Sequence, residues 1–112
     1  SGQNFFIIKD GLFHTNDETA NILMGITRET VLSLIKDLGM EYKIDKITQD
    51  DLFNADEAFF TGSASEITPI RKIDNHEFSN GKAGQLSLKI QELYYNIVRG
   101  KNHNYKSWLT YV

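Results

Sequence analysis

Two short stretches of this chain carry residue types suited to holding an anion. One is Gly25-Ile26-Thr27-Arg28, set at the head of a run with apolar residues at 31, 32, 34, 35 and 38. The other is Thr61-Gly62-Ser63-Ala64-Ser65. Backbone N–H groups at a helix start, or in a turn of small residues, are unpaired and converge on one point, which suits a phosphate or carboxylate. Thr27 is placed to act as N-cap, with Glu29 in the first turn, and Gly25 lets an anion approach the backbone. Taken alone, the first stretch is more often an ordinary capped helix and the second an ordinary tight corner.

Other chemistry is poorly supported. Asp50 and Asp51 follow Thr48 at a helix start, where acids answer the helix dipole rather than catalyse. His14, His76 and His103 fall in separate loops without ligand spacing, and the chain has no Cys, so no metal site is expected. The nine lysines sit in turns or on polar faces. A nucleophilic Lys needs a desolvated pocket to lower its pKa, and none of these has that context. No P-loop, nucleophile elbow or dinucleotide fingerprint occurs.

The elements that must position the two stretches follow from periodicity. Phe5-Phe6-Ile7-Ile8 reads as a strand buried on both faces, turning at Asp10-Gly11 into Leu12-Phe13-His14-Thr15. The helix after Thr27 ends at Gly39. Glu41 to Ile47 reads as a half-exposed strand, and Thr48 caps a short helix over 49–55. Glu57-Ala58-Phe59-Phe60-Thr61 is a strand, followed by another over 66–74. Pro69 confines that second strand to an edge or a bulge. Asn75-His76 and Asn80-Gly81 mark turns. The longest helix runs over 85–98, with a stripe at 86, 90, 93, 94, 97 and 98. Trp108 to Val112 is expected to dock back on the body.

Composition frames this as one unit over 1–112 with a sizeable core. Hydrophobic residues make up 40% of the 112, and the net charge is -3 from 12 basic and 15 acidic side chains. The charges are interspersed, so neither nucleic acid nor an anionic membrane is an expected partner. No apolar run reaches the roughly 18 residues of a membrane span, and a cytoplasmic location is expected.

Order and spacing bring a family into view. Leu23-x-Gly25-Ile26-Thr27-Arg28, with an apolar helix ending in Leu38-Gly39, resembles the cofactor-phosphate segment of fold-type IV pyridoxal-phosphate enzymes. Ala55-Asp56-Glu57-x-Phe59-x-Thr61-Gly62-Ser63-Ala64-x-Glu66-Ile67-x-Pro69-Ile70 is similar to a pattern of the branched-chain amino-acid aminotransferases within that family. Gly2-Gln3-Asn4-Phe5-Phe6, Asp10-Gly11, Ile73-Asp74 and Gly81-Lys82-Ala83-Gly84 match in the same order. The resemblance covers nearly the whole chain. Ser63 stands where that family usually has Thr, which keeps the hydroxyl, and Gln85 stands where Pro commonly opens the last helix.

The resemblance implies an α+β fold, the C-terminal larger domain of a pseudobarrel with mixed strands and two main helices. It implies pyridoxal 5'-phosphate as cofactor, and transamination of leucine, isoleucine or valine with 2-oxoglutarate. By position, Leu23 packs on the pyridine ring. Gly25, the amides of Ile26 and Thr27, the Thr27 hydroxyl and Ser63 hold the phosphate. The turn at Ser63-Ala64 receives the substrate carboxylate. The family's Schiff-base Lys, its Tyr and its pyridine-facing acid lie upstream of the Gly-x-Asn-Phe strand, so the 112-residue chain is expected to be inactive alone. A homo-oligomer is expected. D-amino-acid transamination or aminodeoxychorismate lysis on the same scaffold, and a non-catalytic remnant or assembly module, are the competing expectations.

Overall fold

The computed structural model describes residues 4–16, 22–62 and 66–98. Strands β1 (Asn4–Lys9) and β2 (Leu12–Thr15) form the expected hairpin. Its turn residues have positive φ, +50° at Asp10 and +80° at Gly11. This left-handed pair matches the twist of the flanking strands, and Asp-Gly adopts it at little cost. Helix α1 (Ile22–Asp37) then carries the chain across to β3 (Glu41–Ile44), which lies parallel to β2. A parallel neighbour needs such a crossover.

Helix α1 ends as the sequence requires. Gly39 has φ +75°, its amide donates to the Lys36 carbonyl at 2.9 Å, and the Met40 amide donates to the Ile35 carbonyl at 3.1 Å. This is the glycine-terminated Schellman arrangement, which satisfies carbonyls the helix leaves open.

The start of α1 differs from expectation. Thr27 is not the N-cap, because the helix already begins at Ile22. Nothing between Ile22 and Gly25 forces a turn, and an interior Gly costs only about 1 kcal/mol. The burial of Val31, Leu32, Leu34 and Ile35 outweighs that.

Helix α2 (Gln49–Asn54) has the expected Thr48 cap. Strand β4 (Glu57–Gly62) pairs with β1, and β5 (Glu66–Ile70) pairs with β4, both antiparallel. The sheet order is β3-β2-β1-β4-β5. Pro69 thus lies on an edge strand, where its missing N–H costs nothing. The expected strand over 66–74 is broken at Arg71. Beyond it, β6 (Lys72–Ile73) and β7 (His76–Glu77) form a separate hairpin turning at Asp74-Asn75, with Asp74 at φ +52°. His14 and His76 therefore lie in strands, not in loops. A 3-10 turn (Ser79–Gly81) leads into α3 (Gln85–Val98), which has the expected span.

Both faces of the sheet are covered. On one, Phe6, Ile8, Phe13, Phe59 and Ile67 meet Val31, Leu32, Leu34 and Ile35 of α1 and Ile90, Tyr94 and Ile97 of α3. Phe6 stacks on Phe59 at 4.9 Å, and Phe13 meets Phe59 edge-on at 6.4 Å. On the other face, Ile7 and Ala58 pack with Ala55 and Phe78. Alternating residues of β1 serve the two faces, which is why the whole strand is apolar. Among the described residues no helix is long and apolar enough to cross a membrane. The expected docking of Trp108 to Val112 lies outside the described residues.

Candidate active site: a polar seam beneath helix α1

The aromatic core gives way to polar side chains at one end of the sheet. Residues of β1, β2 and β4 alternate between faces, so Asn4 shares the α1 side with Phe6, Thr15 with Phe13, and Thr61 with Phe59. The register sets Asn4 directly opposite Thr61, and Thr15 opposite Phe6. Asn4, Thr15 and Thr61 are at most 1% exposed, and so are Thr27 and Thr30 on α1 above them. Five buried polar side chains thus lie where the pattern alone would put more aliphatic residues.

A buried hydroxyl without a partner costs about 1–3 kcal/mol, so each must be accounted for. Thr15 Oγ1 donates to the Phe5 carbonyl at 2.7 Å, and Thr30 Oγ1 donates to the Ile26 carbonyl one turn back at 2.9 Å. Asn4 and Thr27 are also partnered. Thr61 Oγ1 has no hydrogen-bond partner. It ends the polar row on β4.

Arg28 brings positive charge to the same end of the sheet. Its Nη1 donates to the Asn16 carbonyl at 2.9 Å, and its side chain is 13% exposed. Glu29 lies 3.9 Å away but is well exposed, so the guanidinium charge is only loosely compensated. Arg28 Nε and Asn16 Oδ1 are buried without partners. Hydroxyls and one guanidinium make an anion-receptive set.

The residues expected to bind the anion are only partly placed. Gly25, Ile26 and Thr27 lie in α1, with Thr27 facing the sheet. In a helix starting at Ile22, the amides of Ile26 and Thr27 fall beyond the four free N–H groups and within the ladder. Leu23 is placed by its backbone in the first turn. Ser63 and Ala64 lie outside the described residues. Sequence reasoning missed Asn4, Thr15 and Thr30, and named Thr61 only as the head of the stretch Thr61-Gly62-Ser63-Ala64-Ser65. The available signal was a run of polar residues in phase with Phe6, Phe13 and Phe59.

Glu57, at the other end of β4, has a structural role. Its Oε1 accepts from the Ser87 amide and hydroxyl, both at 2.8 Å, and its Oε2 accepts from the Leu86 amide at 3.2 Å. The carboxylate therefore caps α3 from across the fold, at the positive end of its dipole. Asp51 is likewise structural. Its Oδ2 accepts from the Thr48 amide at 3.0 Å while its own amide donates to Thr48 Oγ1 at 3.1 Å. Those bonds, with help from His14 and Lys43, hold its pKa below the usual aspartate value. Every described lysine is exposed, and no described cluster of His, Asp and Glu could hold a metal.

Comparison with known proteins decides what family builds such a seam. A family model described as amino-transferase class IV matches residues 1–73. The chain belongs to the class IV aminotransferases. The branched-chain-amino-acid aminotransferase of Pseudomonas aeruginosa is 45% identical over 112 residues, all of this chain and 36% of that protein. The probable branched-chain-amino-acid aminotransferase of Aquifex aeolicus is 46% identical over 111 residues, 98% of the chain and again 36% of the relative.

Among solved structures, a T.th. branched-chain amino acid aminotransferase complexed with N-(5'-phosphopyridoxyl)-L-glutamate superimposes with a TM-score of 0.86. It is 38% identical, and the match covers 96% of this chain and 36% of that one. The enzyme from Thermoproteus uzoniensis with norvaline gives 0.83 at 45% identity, over 96% of this chain and 35% of that one. The mixed α+β fold is thus that of the fold-type IV branched-chain aminotransferases. This class IV aminotransferase chain spans about 36% of the length of the relatives it matches.

Proposed function

We propose that the chain is the C-terminal part of the larger domain of a branched-chain amino-acid aminotransferase, folding as one unit over 1–112. The observation that carries this is the TM-score of 0.86 at 38% identity, over 96% of the chain, to an aminotransferase complexed with a phosphopyridoxyl amino acid. Identities of 45% and 46% to two relatives named for branched-chain substrates favour these over D-amino acids or aminodeoxychorismate. The substrates are leucine, isoleucine or valine with 2-oxoglutarate. The setting is the cytoplasm, within a homo-oligomer.

The donor set fits a phosphate monoester in chemistry: the Thr27 hydroxyl on the sheet-facing side of α1, the Arg28 guanidinium, and no buried carboxylate in the seam. The amides of Ile26 and Thr27 become donors only when the first turns of α1 open, since the helix otherwise uses them. Pyridoxal phosphate, when bound, supplies the electron sink for amino-group transfer. The chain's own share is binding and orientation. With the cofactor bound, Leu23 would pack on the pyridine ring, Thr27 and Ser63 would hold the phosphate, and the Ser63-Ala64 backbone would receive the α-carboxylate. Every described lysine is exposed, which supports a role for this chain in binding rather than as the source of the nucleophile.

Borohydride reduction after incubation with pyridoxal phosphate, followed by peptide mass mapping, tests this. Scattered substoichiometric labelling of surface lysines is expected. Stoichiometric labelling of one lysine, or transamination by the purified chain, overturns the binding-only role.

A further inference from the structure

We propose that Thr61 is a further anion-positioning residue of this site, its hydroxyl donating to the phosphate group that enters beneath α1, directly or through one water. The inference rests on the phosphate reading above and adds to it a residue that reading did not contain.

Three observations carry it. Thr61 is fully buried, yet its Oγ1 alone among the five seam side chains has no hydrogen-bond partner. Its strand position fixes where the hydroxyl stands. It shares the α1 side of the sheet with Phe59, beyond the last aromatic ring and opposite Asn4. The nearby cation, Arg28, donates to the Asn16 carbonyl and, among the described residues, meets a carboxylate only in a long ion pair with exposed Glu29, which favours an anionic acceptor at this end of the sheet.

Satisfaction of the site as it stands would favour valine at 61, which has the same shape and no group to leave unpaired. A buried hydroxyl that the resting fold does not use is paired only when something else arrives. A phosphate oxygen supplies an acceptor and a charge. A hydroxyl donating to it makes the shorter, stronger class of hydrogen bond. Thr61 thus costs the free chain stability and returns it on binding.

The test compares Thr61→Val and Thr61→Ser with the wild-type chain by thermal unfolding without ligand. Calorimetric titration then follows, with pyridoxamine phosphate and separately with inorganic phosphate. Pyridoxamine phosphate avoids the lysine chemistry of the aldehyde. We expect T61V to unfold at the wild-type temperature or higher and to bind both ligands about tenfold more weakly. T61S should bind within about threefold of wild type.

T61V binding as tightly as wild type overturns the inference while leaving the phosphate reading intact. A T61V chain that is less stable makes the hydroxyl a structural group and also overturns it. Weakening confined to pyridoxamine phosphate assigns the contact to the rest of that ligand and refutes the phosphate contact. No binding of either ligand by the wild-type chain refutes the phosphate reading itself, and the inference with it.

Discussion

Glu57 shows how one side chain can tie two distant elements together. Three donors from the start of α3 converge on its carboxylate, and Ser87 beneath it is fully buried. Glu57→Ala leaves two amides and a hydroxyl without their acceptor and should lower stability by about 2 kcal/mol, read from the denaturant midpoint. Gly84→Ala should act in the same direction, because a Cβ there overlaps the Glu57 carboxylate. The double variant should restore part of the loss, since removing the carboxylate makes room for the methyl. Neither role was visible in the sequence. The spacing of 30 residues between Glu57 and Ser87 gives no hint of contact, whereas Thr48 at the head of its helix announced its half of the cap, and only the structure showed Asp51 returning the bond. For that pair, Thr48→Ala should cost about 1 kcal/mol. Asp51 has a folded pKa below its unfolded one, so its contribution is complete above the ordinary aspartate pKa and disappears as pH falls through the lowered value. Acid titration of wild type and Asp51→Asn should therefore converge at low pH.

At the scale of elements, local pattern located both long helices but not the start of α1. Its end was legible because Gly39 alone can take φ +75° cheaply there, and Gly39→Ala should cost about 1 kcal/mol in thermal unfolding. Its start was not, because Thr27 is as good a cap as any, and only the packing of the following turns extends the helix back to Ile22. The consequence is functional. If the amides of Ile26 and Thr27 are to meet a phosphate, α1 must lose its first turns, and saturating pyridoxamine phosphate should reduce far-ultraviolet helical ellipticity. An increase, or faster hydrogen exchange confined to other elements, would contradict this. The break in the strand over 66–74 has a similar cause. Its alternation continues past Arg71, but pairing with β4 stops at Ile70 and the chain folds back on itself.

For the whole molecule, one sheet covered on both faces places the polar seam at a single end of an otherwise apolar core. Phe59 is the hinge of that arrangement, packed on Phe6 and Phe13 and surrounded by α1 and α3. Phe59→Ala should cost about 3–5 kcal/mol and broaden or abolish cooperative unfolding, because both helices lose their common support. The sequence by itself determined the hairpin at Asp10-Gly11, the restriction of Pro69 to an edge or a bulge, the spans of α2 and α3 to within a residue, and the family. Each of these rests on the intrinsic limits of a single residue type or on a short local period. Only the tertiary structure decided that Asn4, Thr15, Thr27, Thr30 and Thr61 share one buried seam and that Glu57 reaches α3. Those facts depend on strand register and helix docking, which join residues dozens of positions apart and leave no mark in the order of the chain.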